Sequence, residues 1–145
     1  MSDTAKNRAG GCACGAVRYR TAGALRPVVA CHCSQCRRAY TNFGAFTAVR
    51  RDSLSLDNAE DIAWHESSPG VRRGFCRRCG SGLLWDNAGN DFVSIAAGSF
   101  DQPSGLKQMR HIFVGDKADF YEIGDGLEQL PQGQGDDVWP GGRGG

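Results

Sequence analysis

The chain has 145 residues, a net charge of +1 and a 40% hydrophobic share, which suits one domain with a modest core. No apolar run approaches the length of a membrane span, and residues 1–10 carry Lys6 and Arg8 without the apolar stretch of a secretion signal. The seven cysteines are an odd number, which excludes a complete set of disulfides and points to a reducing, cytoplasmic setting.

Taken in chain order, residues 1–10 read as a disordered N-terminus, 11–131 as the folded domain and 132–145 as a flexible C-terminal tail. Within the domain, short apolar or alternating runs recur at 16–20, 27–31, 43–49, 61–65, 82–85, 92–96 and 110–114. Turn formers separate them: Gly23, Asp57-Asn58, and the stretches 67–70, 87–90 and 101–105. Runs this short with such punctuation predict a mainly β domain of antiparallel strands. Twenty-one glycines and five prolines leave little room for long helices. The spacing predicts at most one short helix, from Ser34 to Tyr40, with Ser34 as its N-cap.

The cysteines fall into three tight clusters: Cys12 and Cys14; Cys31, Cys33 and Cys36; Cys76 and Cys79. Cysteines one or two residues apart are poorly placed to bridge each other. They are well placed to hold one metal ion, each sulfur at about 2.3 Å from it. Four thiolates close a tetrahedral zinc site, whereas three leave a position open to water or substrate. Seven cysteines divide into one site of each kind. Gly15 and Gly80 each follow the second cysteine of a pair, where the backbone must fold under the metal. The economical partition joins Cys12, Cys14, Cys76 and Cys79, stapling segments roughly sixty residues apart, and leaves Cys31, Cys33 and Cys36 for a second ion. Spacing alone also allows a swapped partition, with Cys31 and Cys33 joining Cys76 and Cys79. His32 could supply a fourth bond, but the central side chain of an extended Cys-x-Cys points away from its neighbours. Packing or hydrogen bonding is therefore its expected role, as it is for His65 and His111. Trp64 and Trp85 are expected in the core or lining a cleft.

A disulfide-redox role for Cys76-x-x-Cys79 lacks the βαβ context it needs. A nucleic-acid finger lacks paired histidine ligands and a recognition helix. The charge is unevenly spread: residues 11–80 hold eleven arginines and five acids, residues 81–145 four bases and ten acids. Four arginine pairs, Arg37-Arg38, Arg50-Arg51, Arg72-Arg73 and Arg77-Arg78, lie in the basic half with all the cysteines. They can balance thiolate charge, or grip a carboxylate or phosphate through guanidinium forks.

Four blocks carry a family resemblance in order: Gly11-Cys12-Ala13-Cys14-Gly15, Cys31-His32-Cys33-Ser34-Gln35-Cys36-Arg37-Arg38, Phe75-Cys76-Arg77-Arg78-Cys79-Gly80 and Gly98-Ser99-Phe100-Asp101-Gln102-Pro103. Together with the later His111-Ile112-Phe113-Val114 and Asp125-Gly126-Leu127 segments, they resemble the glutathione-dependent formaldehyde-activating (GFA) family over about residues 11–131. The resemblance implies an Mss4-like zinc-binding β domain and two Zn2+ ions. It also implies structural metal ligands Cys12, Cys14, Cys76 and Cys79, and a catalytic-type set Cys31, Cys33 and Cys36. The implied activity is that of a carbon–sulfur lyase joining a small thiol, glutathione or similar, to an aldehyde such as formaldehyde. Asp119-Phe120-Tyr121 stands where the family's namesake usually has a tryptophan, which puts glutathione itself in question. In that chemistry Ser34, Arg37 or a backbone amide could receive the nascent alkoxide. A non-catalytic module carrying a thiol or anionic ligand, and a purely structural two-zinc scaffold, are the alternatives. Neither a nucleic acid nor a membrane is an expected partner.

Overall fold

The structure is a computed structural model and describes residues 7–133. Eleven strands form two sheets. The smaller contains β1 (Arg8–Gly11), β2 (Arg18–Thr21) and β5 (Leu54–Asp57), with β2 in the middle. The larger contains β3 (Val28–Cys31), β4 (Gly44–Arg50), β6 (Ile62–Ser68), β7 (Val71–Cys76), β8 (Gly82–Asn87), β9 (Phe92–Ala96), β10 (Gln108–Ile112) and β11 (Glu128–Gln129). Its order is β11-β10-β3-β4-β9-β8-β7-β6. One short α-helix, α1 (Ser34–Ala39), follows β3. No described helix is long and apolar enough to cross a membrane.

The mainly β expectation holds, with three differences. First, the large sheet is mixed, because β10 runs parallel to both β3 and β11. Second, β1 begins at Arg8, inside the stretch expected to be disordered, and pairs with β2 from Arg8↔Thr21 to Gly11↔Arg18. Third, the N-cap of α1 is Cys33 rather than Ser34: the Cys33 sulfur accepts from the Cys36 amide at 3.3 Å. Residues 1–6 and most of the 132–145 tail lie outside the described residues.

The core sits where the two sheets face each other. Val17 and Tyr19 meet Val49, Leu83, Leu84, Val93 and Ile95, all essentially inaccessible to solvent. Burying a leucine or isoleucine this completely contributes about 1.5–3 kcal/mol. Tyr19 also packs edge-on against Phe100 with centroids 5.3 Å apart, and its hydroxyl meets the Ser99 hydroxyl at 2.6 Å. β9 is buried along four of its five residues because both of its faces are covered: Val93 and Ile95 pack in the core, and Phe92 and Ser94 line a cavity on the other side. The consequence for function is positional. The β1–β2 and β7–β8 turns meet at one place, and the β3–α1 junction stands at another.

Candidate metal centres and an adjoining cavity

Two turns build the first cluster. Gly11 ends β1, and the chain folds back at Cys12 through bonds from the Cys12 amide to Val17 O (3.1 Å) and from the Gly15 amide to Cys12 O (3.2 Å). Cys76 ends β7, and a matching turn bonds the Gly80 amide to Cys76 O at 2.8 Å. Gly15 and Gly80 both adopt φ of +82°, the left-handed region that side chains avoid. Ser81 links the turns: its hydroxyl accepts from the Ala13 amide at 3.0 Å and lies 3.1 Å from the Cys79 sulfur.

The sulfurs of Cys12, Cys14, Cys76 and Cys79 all lie within 4.8 Å of one another. Cys12 and Cys14 are 3.6 Å apart, Cys14 and Cys76 3.8 Å. A disulfide would need about 2.05 Å, whereas a tetrahedron with metal–sulfur bonds of about 2.3 Å has edges of about 3.8 Å. Backbone donors also point at sulfur: the Val17 amide at Cys12 (3.2 Å) and the Arg78 amide at Cys76 (3.4 Å). The donor set fits a thiophilic cation. The Ser81 hydroxyl draws the Cys79 thiol down to about 5. An Ala16 backbone hydrogen bond lowers the Cys14 thiol, but the Cys12 sulfur, desolvation, and the Cys79 and Cys76 sulfurs together outweigh it and push Cys14 up to about 11.

The second cluster is assembled by one local segment. Cys31 ends β3 opposite Gly44, Cys33 caps α1, and Cys36 lies in its first turn. The three sulfurs again lie within 4.8 Å of one another, and neither His32 nor a residue of the first cluster joins them. The structure therefore brings the cysteines together in the four-plus-three grouping, not the swapped one. Hydrogen bonds from Cys31, then Cys36, hold the Cys33 thiol down near about 2, while those same contacts push Cys31 far up. Three sulfurs this close form a donor set that fits a thiophilic cation.

Surroundings distinguish the two clusters. Cys31, Cys33 and Cys36 all line a cavity of about 290 Å3, and no cysteine of the first cluster does. Its walls include Phe46, Phe92 and Trp85, with Arg26 and Arg73 as its cations. Arg73 is nearly buried; one guanidinium nitrogen donates to the Cys36 sulfur at 3.4 Å and to the Tyr40 hydroxyl at 3.3 Å, the other to Gln35 Oε1 at 3.3 Å. Burial alone would favour the neutral form of Arg73, but the Cys36 and Tyr40 bonds outweigh it and raise its pKa. Arg26 is drawn down to about 10 by burial and by nearby Arg110, and donates to Phe46 O at 3.0 Å.

Among the paired arginines, Arg73 turns its guanidinium onto a sulfur of the second cluster. Arg77 and Arg78 both pair with the Asp61 carboxylate, at 2.9 and 3.2 Å. Arg51 and Arg72 share buried Asp86, and Arg72 also lies over the Trp64 ring at 3.7 Å. Arg37 donates to Asp116 O and lines a separate surface hollow, and Ser34 is exposed outside the cavity wall. Neither occupies the place expected for an alkoxide donor. Trp85 lines the cavity and Trp64 packs on the core. His32 is fully buried and bonds His111, as a packing role requires; burial, then His111 and Lys117, draw its pKa down to about 4. Sequence reasoning missed Ser81, Asp61, Tyr40 and Arg26 as site-forming residues. Their only sequence signals were adjacency to a motif, or none.

A two-sheet β domain with one half-exposed four-cysteine cluster and one three-cysteine cluster on a cavity defines a class of proteins whose paired cysteines are grouped to suit metal ions. The chain belongs to the glutathione-dependent formaldehyde-activating enzyme family, whose model matches residues 7–116. It is 31% identical over 130 residues to a Halomonas elongata protein that bears the family's name, covering 79% of each chain. An uncharacterised lyase of Schizosaccharomyces pombe is 27% identical over 117 residues, covering 79% of this chain and 83% of its own. A crystal structure of a Rhodobacter sphaeroides protein shares the fold with a TM-score of 0.54 at 23% identity, covering 67% of this chain and 91% of that one.

Proposed function

We propose that the protein is a zinc-dependent enzyme of the carbon–sulfur lyase type, joining a small thiol, glutathione or similar, to formaldehyde or another small aldehyde in the cytoplasm. The observation that carries this reading is the convergence of three cysteine sulfurs on a cavity wall, while four others close on themselves elsewhere. Cys12, Cys14, Cys76 and Cys79 would hold one zinc as a staple, and Cys31, Cys33 and Cys36 would hold the other. A zinc held by Cys31, Cys33 and Cys36 would supply the Lewis acidity that favours the thiolate form of a bound thiol.

The chain's own residues then orient the reaction. Arg73 offsets negative charge on the thiolates and fixes Cys36. Phe46, Phe92 and Trp85 give the cavity an apolar side against which the substrate's carbon chain can rest. The substrate sulfur bonds to the carbonyl carbon, the carbonyl electron pair moves to oxygen, and the proton lost by the thiol is returned to that oxygen. The product is a hydroxymethyl or related hemithioacetal. We expect calorimetric titration of glutathione and smaller thiols into zinc-loaded protein to show saturable binding that Cys33→Ser abolishes. Equal weak heats from both proteins would defeat the proposal.

One observation favours a second reading, a module that binds the thiol without catalysis. Among the described residues, the cavity wall carries no carboxylate and no histidine to move a proton. Saturable thiol binding with no acceleration of hemithioacetal formation would select it.

A further inference from the structure

His32 sits between two cysteines of the open cluster, yet its ring turns away from them into a buried chain. Its Nε2 lies 2.9 Å from His111 Nδ1, and His111 Nε2 lies 2.7 Å from Asp125 Oδ2. Both rings are essentially inaccessible to solvent, whereas the Asp125 side chain is 39% exposed. The His32 ring is flanked by Phe43 and Tyr121, with centroids 5.0 and 6.0 Å away. The main chain is fixed too, the His32 amide donating to Ile112 O at 2.9 Å. Asp125 is itself held, its other carboxylate oxygen accepting from the Leu127 amide at 3.0 Å.

The direction of the hydrogen bonds follows from one atom. His32 Nδ1 is buried without a partner. A proton there would be a stranded donor, whereas a bare lone pair in an aromatic setting costs less. His32 therefore carries its proton on Nε2 and donates to His111 Nδ1. His111 then carries its own on Nε2 and donates to Asp125. The Gln108 carboxamide nitrogen is placed 3.1 Å from that same nitrogen; with His111 donating, the amide must be turned over so that its oxygen accepts.

We propose that Asp125 acts through His111 and His32 as a positioning residue for the Cys31–Cys33 half of the open cluster. This rests on the reading that the cluster holds a metal. β3 ends at Cys31 and α1 begins at Ser34, so residue 32 occupies a short link outside both elements. Anchoring its ring fixes the angle between the flanking sulfurs. Without Asp125, His111 loses its acceptor, the tautomers are no longer set, and the link can rotate. Asp125 also lies beyond the residues matched by the family model.

The test uses the full chain loaded with cadmium-113, a soft ion suited to thiolates, and needs no turnover. Wild-type protein should give two resonances, one of which is absent in Cys33→Ser. In Asp125→Ala that resonance should move or broaden while the other stays, and chelator competition should show affinity at that site about 10- to 100-fold weaker. Asp125→Asn, whose amide oxygen can accept the same bond, should return both readings toward wild type. Nitrogen-15 spectra of wild-type protein should place the His32 proton on Nε2. Unchanged resonances and affinity in Asp125→Ala, loss of both resonances together, or a proton on His32 Nδ1 would each overturn the positioning role. A single wild-type resonance would instead overturn the two-site reading, and the inference with it.

Discussion

At Asp61 one carboxylate ties the cysteine turn to the neighbouring strand. It accepts from Arg77 and Arg78, which lie between Cys76 and Cys79, while its own main-chain oxygen accepts from the Arg77 amide at 2.9 Å. The Arg77 hydrogen bond, and after it that of Arg78, holds the Asp61 carboxyl below the usual range. A lowered folded-state value stabilises above the ordinary carboxylate pKa and is lost as pH falls through the folded one. Asp61→Asn should therefore lower Tm at pH 7, and the gap from wild type should narrow below about pH 4. A gap that stays constant across an acid series of thermal melts would remove the charge from this account. None of this was legible beforehand: Asp61 looked like the start of an apolar run, and its partners lie sixteen and seventeen positions on in the sequence. Arg73 had a signal, its membership of a pair, but nothing in the sequence separated it from the seven other paired arginines.

Among the elements, strands announced themselves where packing made them apolar and stayed hidden where it did not. β9, flanked on both sides, was readable from Phe-Val-Ser-Ile-Ala alone. β7 was not, because Val-Arg-Arg-Gly-Phe-Cys mixes charges with a glycine. Its arginines find Asp86 and the second cysteine cluster only after the sheet forms. β1, Arg-Ala-Gly-Gly, was hidden for a steric reason. A Cβ on Gly10 would lie 2.4 Å from the Tyr19 hydroxyl oxygen and 2.5 Å from Ser99 O, so glycine is needed there because the Tyr19 side chain of the neighbouring strand and the Ser99 main chain press against it. Gly10→Ala should destabilise by about 1–3 kcal/mol, read from urea unfolding. An unchanged midpoint would show that this contact is slack.

For the whole molecule, the first cluster links segments more than sixty residues apart, and the second lies within six. Closing the longer loop through a metal removes unfolded-state entropy worth about 4 kcal/mol by the chain-entropy relation. The shorter loop yields far less, since local structure already holds it. Cys76→Ser should therefore lower Tm strongly and lose cooperative unfolding on chelation, while Cys33→Ser should leave Tm near wild type and lose thiol binding. Equal losses of stability in both variants would contradict this division. The sequence by itself determined the β class and which cysteines could act as short pairs, because strand periodicity and ligand spacing are local. It also left both groupings of those pairs open. Only the tertiary structure decided that Cys12 and Cys14 meet Cys76 and Cys79, that the other three cysteines line a cavity beside Arg73, and that Asp125 reaches His32 through His111. Those relations join residues far apart in the chain, and their distances are set by strand pairing within the large sheet and by the packing of the small sheet on it.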